Sequence, residues 1–321
     1  EIVSFHNANF SRVLIFCVCL GTHSIPLSLL LFRTHSPIMA ELKPLEGTNY
    51  FLWFYLPQMW ASLLFLALFI ILTGLQIWKM VKTRTWFCIP FVIGGIFEFL
   101  GYALRAMAYK NTDKIMPYAF FSMATLLAPA LFAASIYMTL GRLVRSVHAQ
   151  SLLIISDRWI TRIFVAGDIA SFIVQGIGCG LMVMRNQKMI KLGEDIVVAG
   201  LAIQIIIFGF FGLTAALVHQ RMCKFPTQFD AGDIKYHQGL GMLYAVSVLI
   251  LIRSIFRLVE FVQGREGYLL QTEWPTLVFD GMLMFLTMVV FFIWHPAKYV
   301  SRKGEGSVTE LGSITERPFV K

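Results

Sequence analysis

Residues 57–78 read PQMWASLLFLALFIILTGLQIW, a run without one Asp, Glu, Lys or Arg. A helix of about 20 such residues crosses the roughly 30 Å hydrocarbon core of a bilayer. Further runs of this kind follow at about 86–108, 117–140, 160–184, 196–219, 238–259 and 275–295. The sequence therefore predicts an all-α, polytopic membrane protein built as a seven-transmembrane-helix bundle.

The composition agrees. The chain has 321 residues, 57% of them hydrophobic and only 14% charged, with a mean hydropathy of +0.71. Soluble domains run near 45–50% apolar and about 25% charged. The 29 phenylalanines suit lipid-facing and bundle-packing surfaces. A net charge of +9 would raise nucleic-acid binding in a soluble protein. Here the basic residues sit in short connections between apolar runs, so the charge is read as setting orientation, with no nucleic acid as partner.

Aromatic and basic residues mark the ends of the spans. Tyr50, Trp53, Tyr55 and Trp60 precede the first span, and Trp274 and Trp294 bracket the last, as an interfacial belt requires. One side of the bilayer receives Lys79, Lys82 and Arg84, then Arg142, Arg145, Arg158 and Arg162, then Arg221, Lys224 and Lys235, then the basic residues of the tail. Counted from Met39, that side holds fifteen Lys and Arg against seven on the other. The positive-inside rule then places the N-terminus outside and the tail in the cytoplasm.

The expected organisation is a seven-helix domain over 39–298 and a tail over 299–321 rich in Gly, Ser, Thr and charge, the composition of a disordered cytoplasmic end. Residues 1–38 carry an apolar run, VLIFCVCLGTHSIPLSLLLF at 13–32, interrupted by Gly21, His23 and Pro26. It reads as an eighth span, a signal-like segment, or sequence upstream of a start at Met39; the last is favoured, because the run is broken and lacks a clear small-residue cleavage site.

Cys17, Cys19, Cys88, Cys179 and Cys223 form no CxxC pair. They read as small apolar residues rather than as a zinc site or a disulfide framework. His219, His237 and His295 lie at cytoplasmic span ends without a ligand spacing, and no HExxH run occurs. They are read as interfacial histidines, and no metal or cofactor is expected.

Ionisable groups inside a membrane helix are costly and normally face the bundle or a wet cavity. Span two carries Glu98 and Arg105, with Tyr102 between them on one face and Gly94 and Gly101 beside it. Span four carries Asp168, Ser171 and Gln175, followed by Gly178; span five carries Gln204 one turn after Gly200. Span six carries Arg253, Arg257 and Glu260, and span seven carries Asp280. The near balance of acids and bases predicts mutual pairing inside the bundle. It serves equally as an ion-pair network that fixes helix register or as a polar pathway or headgroup site, with Arg105 and Glu260 also able to snorkel to the interface. In span three, Pro129 removes one backbone hydrogen bond. Beside Ala128, Ala130, Ala133, Ala134 and Ser135 it marks either close helix packing or a hinge.

Several of these segments together resemble the fungal RTA-like proteins, the lipid-translocating exporter family. They are EFLGYALRA (Glu98 to Ala106), Pro117-Tyr118 followed by LLAPALFAASIYM (Leu126 to Met138), DIASFIVQGIGCG (Asp168 to Gly180), GLAIQ (Gly200 to Gln204), RSIFRLVEFVQGREGYLLQTEW (Arg253 to Trp274) and Phe279-Asp280. The sequence departs from the family pattern at Phe121, where a Gln is common, and at Ala297, where His-Pro is usually followed by Gly. The resemblance implies a seven-span membrane protein acting in resistance to toxic amphiphiles. It implies links to sphingoid long-chain bases, sterol analogues or porphyrins, with membrane lipids and an amphiphilic small molecule as partners. The plasma membrane is the expected location, with the vacuole or another endomembrane as alternative.

Three functions are weighed on this basis. The first is a transporter, flippase or exporter of amphiphilic lipids, in which Glu98, Asp168 and Asp280 supply acids for an amine while Ser171, Gln175 and Gln204 bond hydroxyls. The absence of a Walker A run removes ATP hydrolysis by this chain from that reading. The second is a seven-helix membrane stress sensor or receptor that regulates lipid asymmetry indirectly. It lacks a DRY after span three, where Leu140 to Arg142 read LGR, and an NPxxY in span seven. The third is an intramembrane hydrolase, disfavoured because no convergent histidines or nucleophile–base pair stand out. The chain is therefore read as not an enzyme.

Overall fold

The computed structural model describes residues 58–109, 115–146, 157–182, 187–224, 234–264 and 267–299. Residues 1–38, the tail after Tyr299 and the aromatic residues Tyr50, Trp53 and Tyr55 lie outside the described residues. Among the described residues there is no strand, and seven helices are long and apolar enough to cross a membrane.

Helix α1 runs Met59–Thr83, and Arg84 in the left-handed region ends it (φ 52°). A 3-10 turn, Trp86–Cys88, leads into α2, Ile89–Ala108, with Pro90 in its first turn, where a missing N–H costs nothing. Then come α3 (Ile115–Ser146), α4 (Asp157–Met182), α5 (Gln187–Lys224) and α6 (Ile234–Gln263). After a helical turn, Tyr268–Gln271, the last span α7 consists of a π-helical segment, Thr276–Met282, continued by α-helix, Leu283–Ile293. The expected spans are all present. The fifth is longer than its apolar run: α5 begins at Gln187, not near 196, because Lys188, Lys191, Glu194 and Asp195 extend the helix past the apolar core.

Lipid tails are as apolar as leucine, so these helices associate through close packing and polar contacts rather than through apolar burial alone. The glycines decide where helices touch. A Cβ on Gly94 would lie 2.7 Å from the Phe132 ring and 3.0 Å from the Ala128 carbonyl, which seats α2 on α3. Gly178 and Gly193 face each other across α4 and α5, where a Cβ on either would fall within 2.6–2.7 Å of the other's carbonyl oxygen. Helix α3 is the most enclosed of the spans and packs on α2, α4 and α6. The ring of helices closes where α7 meets α1: Gln76 Nε2 donates to the Met288 carbonyl at 3.1 Å, and Lys79 donates to the Phe292 carbonyl. Outside this ring, Ile163, Ile169, Ile173 and Ile177 on α4 and Ile206 and Phe210 on α5 are exposed, as a lipid-facing surface requires. Trp60, Trp274 and Trp294 are exposed near span ends, where the aromatic belt was expected.

One histidine at a span end is more enclosed than expected. His295, at the end of the last span, is fully buried by protein. Its Nδ1 accepts from the Ala297 N–H at 3.2 Å, so it caps the 3-10 turn Pro296–Lys298. Cys88 is buried and Cys179 half-buried, both with free thiols.

Candidate functional site

Most of the interior charge lies at one end of the bundle, the end that carries the connections after α2 and α6. Arg253 and Arg257 stand one turn apart on α6 and point at one carboxylate. Arg253 Nη2 is 2.7 Å from Asp280 Oδ1, and Arg257 Nη2 pairs with Asp280 Oδ2. Arg257 Nη1 also holds Glu260 Oε2 at 2.9 Å. Asp280 sits inside the π-helical segment, a feature frequent at functional sites. The next residue is Gly281, where a Cβ would lie 2.5 Å from Tyr102 Oη; only a bare backbone leaves room for the phenol.

The same cluster reaches into α3. Pro129 has no N–H, so the carbonyl of Thr125, four residues earlier, lacks its helical partner. Arg253 Nη2 donates to that carbonyl across the helix boundary. Arg257 Nη2 lies 3.5 Å from Thr125 Oγ1, which itself donates to the Phe121 carbonyl at 3.0 Å. The α-helix runs unbroken through Pro129, and the group the proline frees is satisfied by a guanidinium.

Arg105 and Glu260 do not snorkel; both are buried in ion pairs. Arg105 pairs with Glu273, a residue of the α6–α7 connection that was not a sequence candidate, at 2.8 Å. Its guanidinium also lies over the Phe121 ring, 5.4 Å from the centroid.

Two carboxylates stay outside these ion pairs. Glu98 is buried, and its Oε1 accepts no hydrogen bond among the described residues. It lies within electrostatic reach of Asp280, Arg253 and Arg257. Asp168 lies deeper, near the middle of α4. Its Oδ2 accepts from Tyr137 Oη at 2.9 Å, and its Oδ1 has no partner among the described residues. Tyr137 is surrounded by Phe211, Phe164 and Phe208, at centroid distances of 4.4, 5.4 and 6.2 Å. The expected pairing of acids with bases thus holds for Glu260 and Asp280 and not for Glu98 and Asp168.

The remaining sequence candidates lie between α4 and α5. Gln175 Nε2 donates to Gln204 Oε1 at 2.9 Å, which joins the two helices. Ser171 donates to the carbonyl of Gly167 on its own helix at 2.9 Å. Tyr137, Thr125 and Glu273 were missed. Thr125 was readable in principle, as the residue four before a mid-span proline. No group of three or more His, Cys, Asp or Glu suited to a metal occurs among the described residues.

Comparison with known proteins decides the family: residues 91–303 match the model described as RTA1 like protein. The chain belongs to the RTA1-like family. It is 39% identical over 222 residues to Protein RTA1 of Saccharomyces cerevisiae, covering 68% of this chain and 69% of that one. It is 40% identical over 208 residues to Protoporphyrin uptake protein 1 of the same yeast, covering 64% of this chain and 67% of that one. To the Sphingoid long-chain base transporter RSB1 it is 24% identical over 298 residues, covering 82% of this chain and 78% of that one. No solved structure matches. Two of these RTA1-like relatives bear the names of transport or uptake proteins, and with seven apolar helices the chain is a multi-pass membrane protein of a transport-related family.

Proposed function

We propose that this protein is a transporter or flippase for amphiphilic lipids with a cationic head, of which sphingoid long-chain bases are the leading class. The observation that carries the reading is Asp168, a buried carboxylate with one oxygen bonded to Tyr137 and the other without a partner among the described residues, its tyrosine set among aromatic rings. A primary ammonium is held by such a pair of features: a carboxylate oxygen takes its hydrogen bonds, and aromatic faces attract its charge. Asp280 is less suited to that role, because both its oxygens already hold guanidiniums. Gln175, about two turns from Asp168 on α4, and its partner Gln204 on α5 offer amides to hydroxyls near the head. The apolar outer faces of α4 and α5 offer a surface to the chain.

The relative named for sphingoid base transport supports this choice of substrate class, and the relative named for protoporphyrin uptake adds a second amphiphile to be tried. The test is a vesicle assay with purified protein and a panel of labelled sphingoid base, neutral lipid and protoporphyrin. Accelerated movement of the base, reduced about tenfold or more by Asp168→Asn, is expected. Equal rates for wild type and the variant remove Asp168 from the mechanism. Movement of protoporphyrin alone replaces the substrate class, and no movement of any probe favours the sensor reading.

A further inference from the structure

The ion-pair cluster holds two buried groups of complementary chemistry that do not meet. Glu98 Oε1 is an acceptor without a donor, and Arg253 Nε is a donor without an acceptor among the described residues. Unsatisfied buried polar atoms are rare and call for an explanation. Both belong to the same electrostatic neighbourhood. The charge count points the same way. Arg253 and Arg257 are balanced by Asp280 and Glu260, and Arg105 is balanced by Glu273. Glu98 is a surplus carboxyl, and a proton on it keeps the cluster neutral in the arrangement seen.

We propose that Glu98 is a proton-exchange site whose deprotonated form takes Arg253 from the Thr125 carbonyl and so releases the Pro129 hinge of α3. When the proton leaves for water, the Glu98 carboxylate becomes the strongest free acceptor beside Arg253. The guanidinium turns toward it, presenting Nε to Oε1. The Thr125 carbonyl, which Pro129 cannot bond, then has no partner, and α3 bends there to reach another donor or water. When the proton returns, Arg253 goes back to Thr125. No covalent bond changes; one proton moves and one guanidinium changes acceptor. The groups within electrostatic reach of Glu98 are Asp280 on α7, Arg253 and Arg257 on α6, and Tyr102 one turn on along its own helix. Helix α1 has no ionisable residue from Met59 to Trp78, and α3 has none from Ala119 to Ile136. Movement in α3 reaches Asp168 directly, since Tyr137 lies two turns beyond Pro129. The proposal goes beyond the substrate reading, and its test reads the protein without substrate.

Infrared difference spectra of reconstituted protein across a pH titration should show a protonated-carboxyl band that falls as pH rises. Glu98→Gln should remove that band, whereas Asp168→Asn should leave it. Spin labels at Phe120 and Val262, both exposed, in a background with the native cysteines replaced, should report a change in spacing over the same pH range. Glu98→Gln should hold the spacing at its low-pH value. Pro129→Ala supplies an N–H to the Thr125 carbonyl in a helix that already runs through this position; it should keep the infrared band and lose most of the spacing change. A titrating band that survives Glu98→Gln overturns the proton site. A spacing change that is absent in wild type, or intact in Pro129→Ala, overturns the hinge.

Discussion

Arg105 Nη2 lies 2.8 Å from Glu273 Oε1, joining the last turn of α2 to the connection between α6 and α7. The same oxygen accepts from the Gln58 N–H at 2.8 Å, just before α1, so one carboxylate gathers three segments at one end of the bundle. Arg105 is fully buried, and Glu273 nearly so. Removing one partner of such a pair leaves an uncompensated buried charge and costs about 3–5 kcal/mol, whereas replacing both with apolar residues is often neutral. Arg105→Met alone and Glu273→Leu alone should therefore each lower the detergent unfolding midpoint strongly. The double variant should recover most of the loss. Additive losses in the double variant count against a coupled pair.

The seven spans were legible because apolar length alone specifies a helix in lipid. The polar residues of the interior were also legible, since each departs from an apolar run. Their partners were not. Whether Arg253 meets Asp280 or Glu98 depends on the rotation of α6 and α7 about their axes, and the π-helical segment at Thr276–Met282 changes that rotation locally. Glu273 escaped because it stands between spans, where a carboxylate draws no notice. Tyr137 escaped because one aromatic residue in a bundle rich in Phe reads as packing. The role of Pro129 was half legible: the lost hydrogen bond follows from proline itself, but the guanidinium that replaces it comes from a helix more than 120 residues away in sequence.

The α4–α5 seam depends on glycine at Gly178 and Gly193. A Cβ on Gly178 would stand 2.7 Å from the Gly193 carbonyl oxygen and 2.9 Å from the Val197 backbone nitrogen. Backbone atoms cannot rotate aside as a long side chain can, so the helices must separate. Gly178→Ala should cost about 1–3 kcal/mol, the usual range for overpacking. Gly209→Ala, on the neighbouring helix α5 with nothing near its added methyl, should be neutral or slightly stabilising. Thermal unfolding of the two variants in one detergent compares them; equal midpoints refute the close-packed seam.

Gln175 and Gln204 link the same two helices by one amide bond at 2.9 Å. Interhelical bonds of this kind in membranes average about 0.6 kcal/mol and reach about 1.7 at most. A double-mutant cycle with Gln175→Leu and Gln204→Leu should give a coupling within that range, too small to hold the bundle together. If both singles keep the unfolding midpoint within a few degrees yet slow lipid movement more than fivefold, the amides act on substrate. If unfolding and movement fall together, they act on packing.

The orientation rests on charge. Two of the basic residues at the end expected to be cytoplasmic are bound to helix α7: Lys79 donates to the Phe292 carbonyl and Lys298 to the Ile293 carbonyl at 3.4 Å. These lysines cap the C-terminus of α7, where cations are favoured by the helix dipole. Setting them aside still leaves thirteen Lys and Arg on that side against seven on the other. Exposed positions at the two ends allow a direct reading. In intact cells, with the protein at the surface and its native cysteines replaced, Tyr268→Cys should react with a membrane-impermeant maleimide, and Lys82→Cys should react only after permeabilisation. The reverse pattern would place the Glu98–Arg253–Asp280 cluster near the cytoplasmic face and reverse the side from which its proton is exchanged.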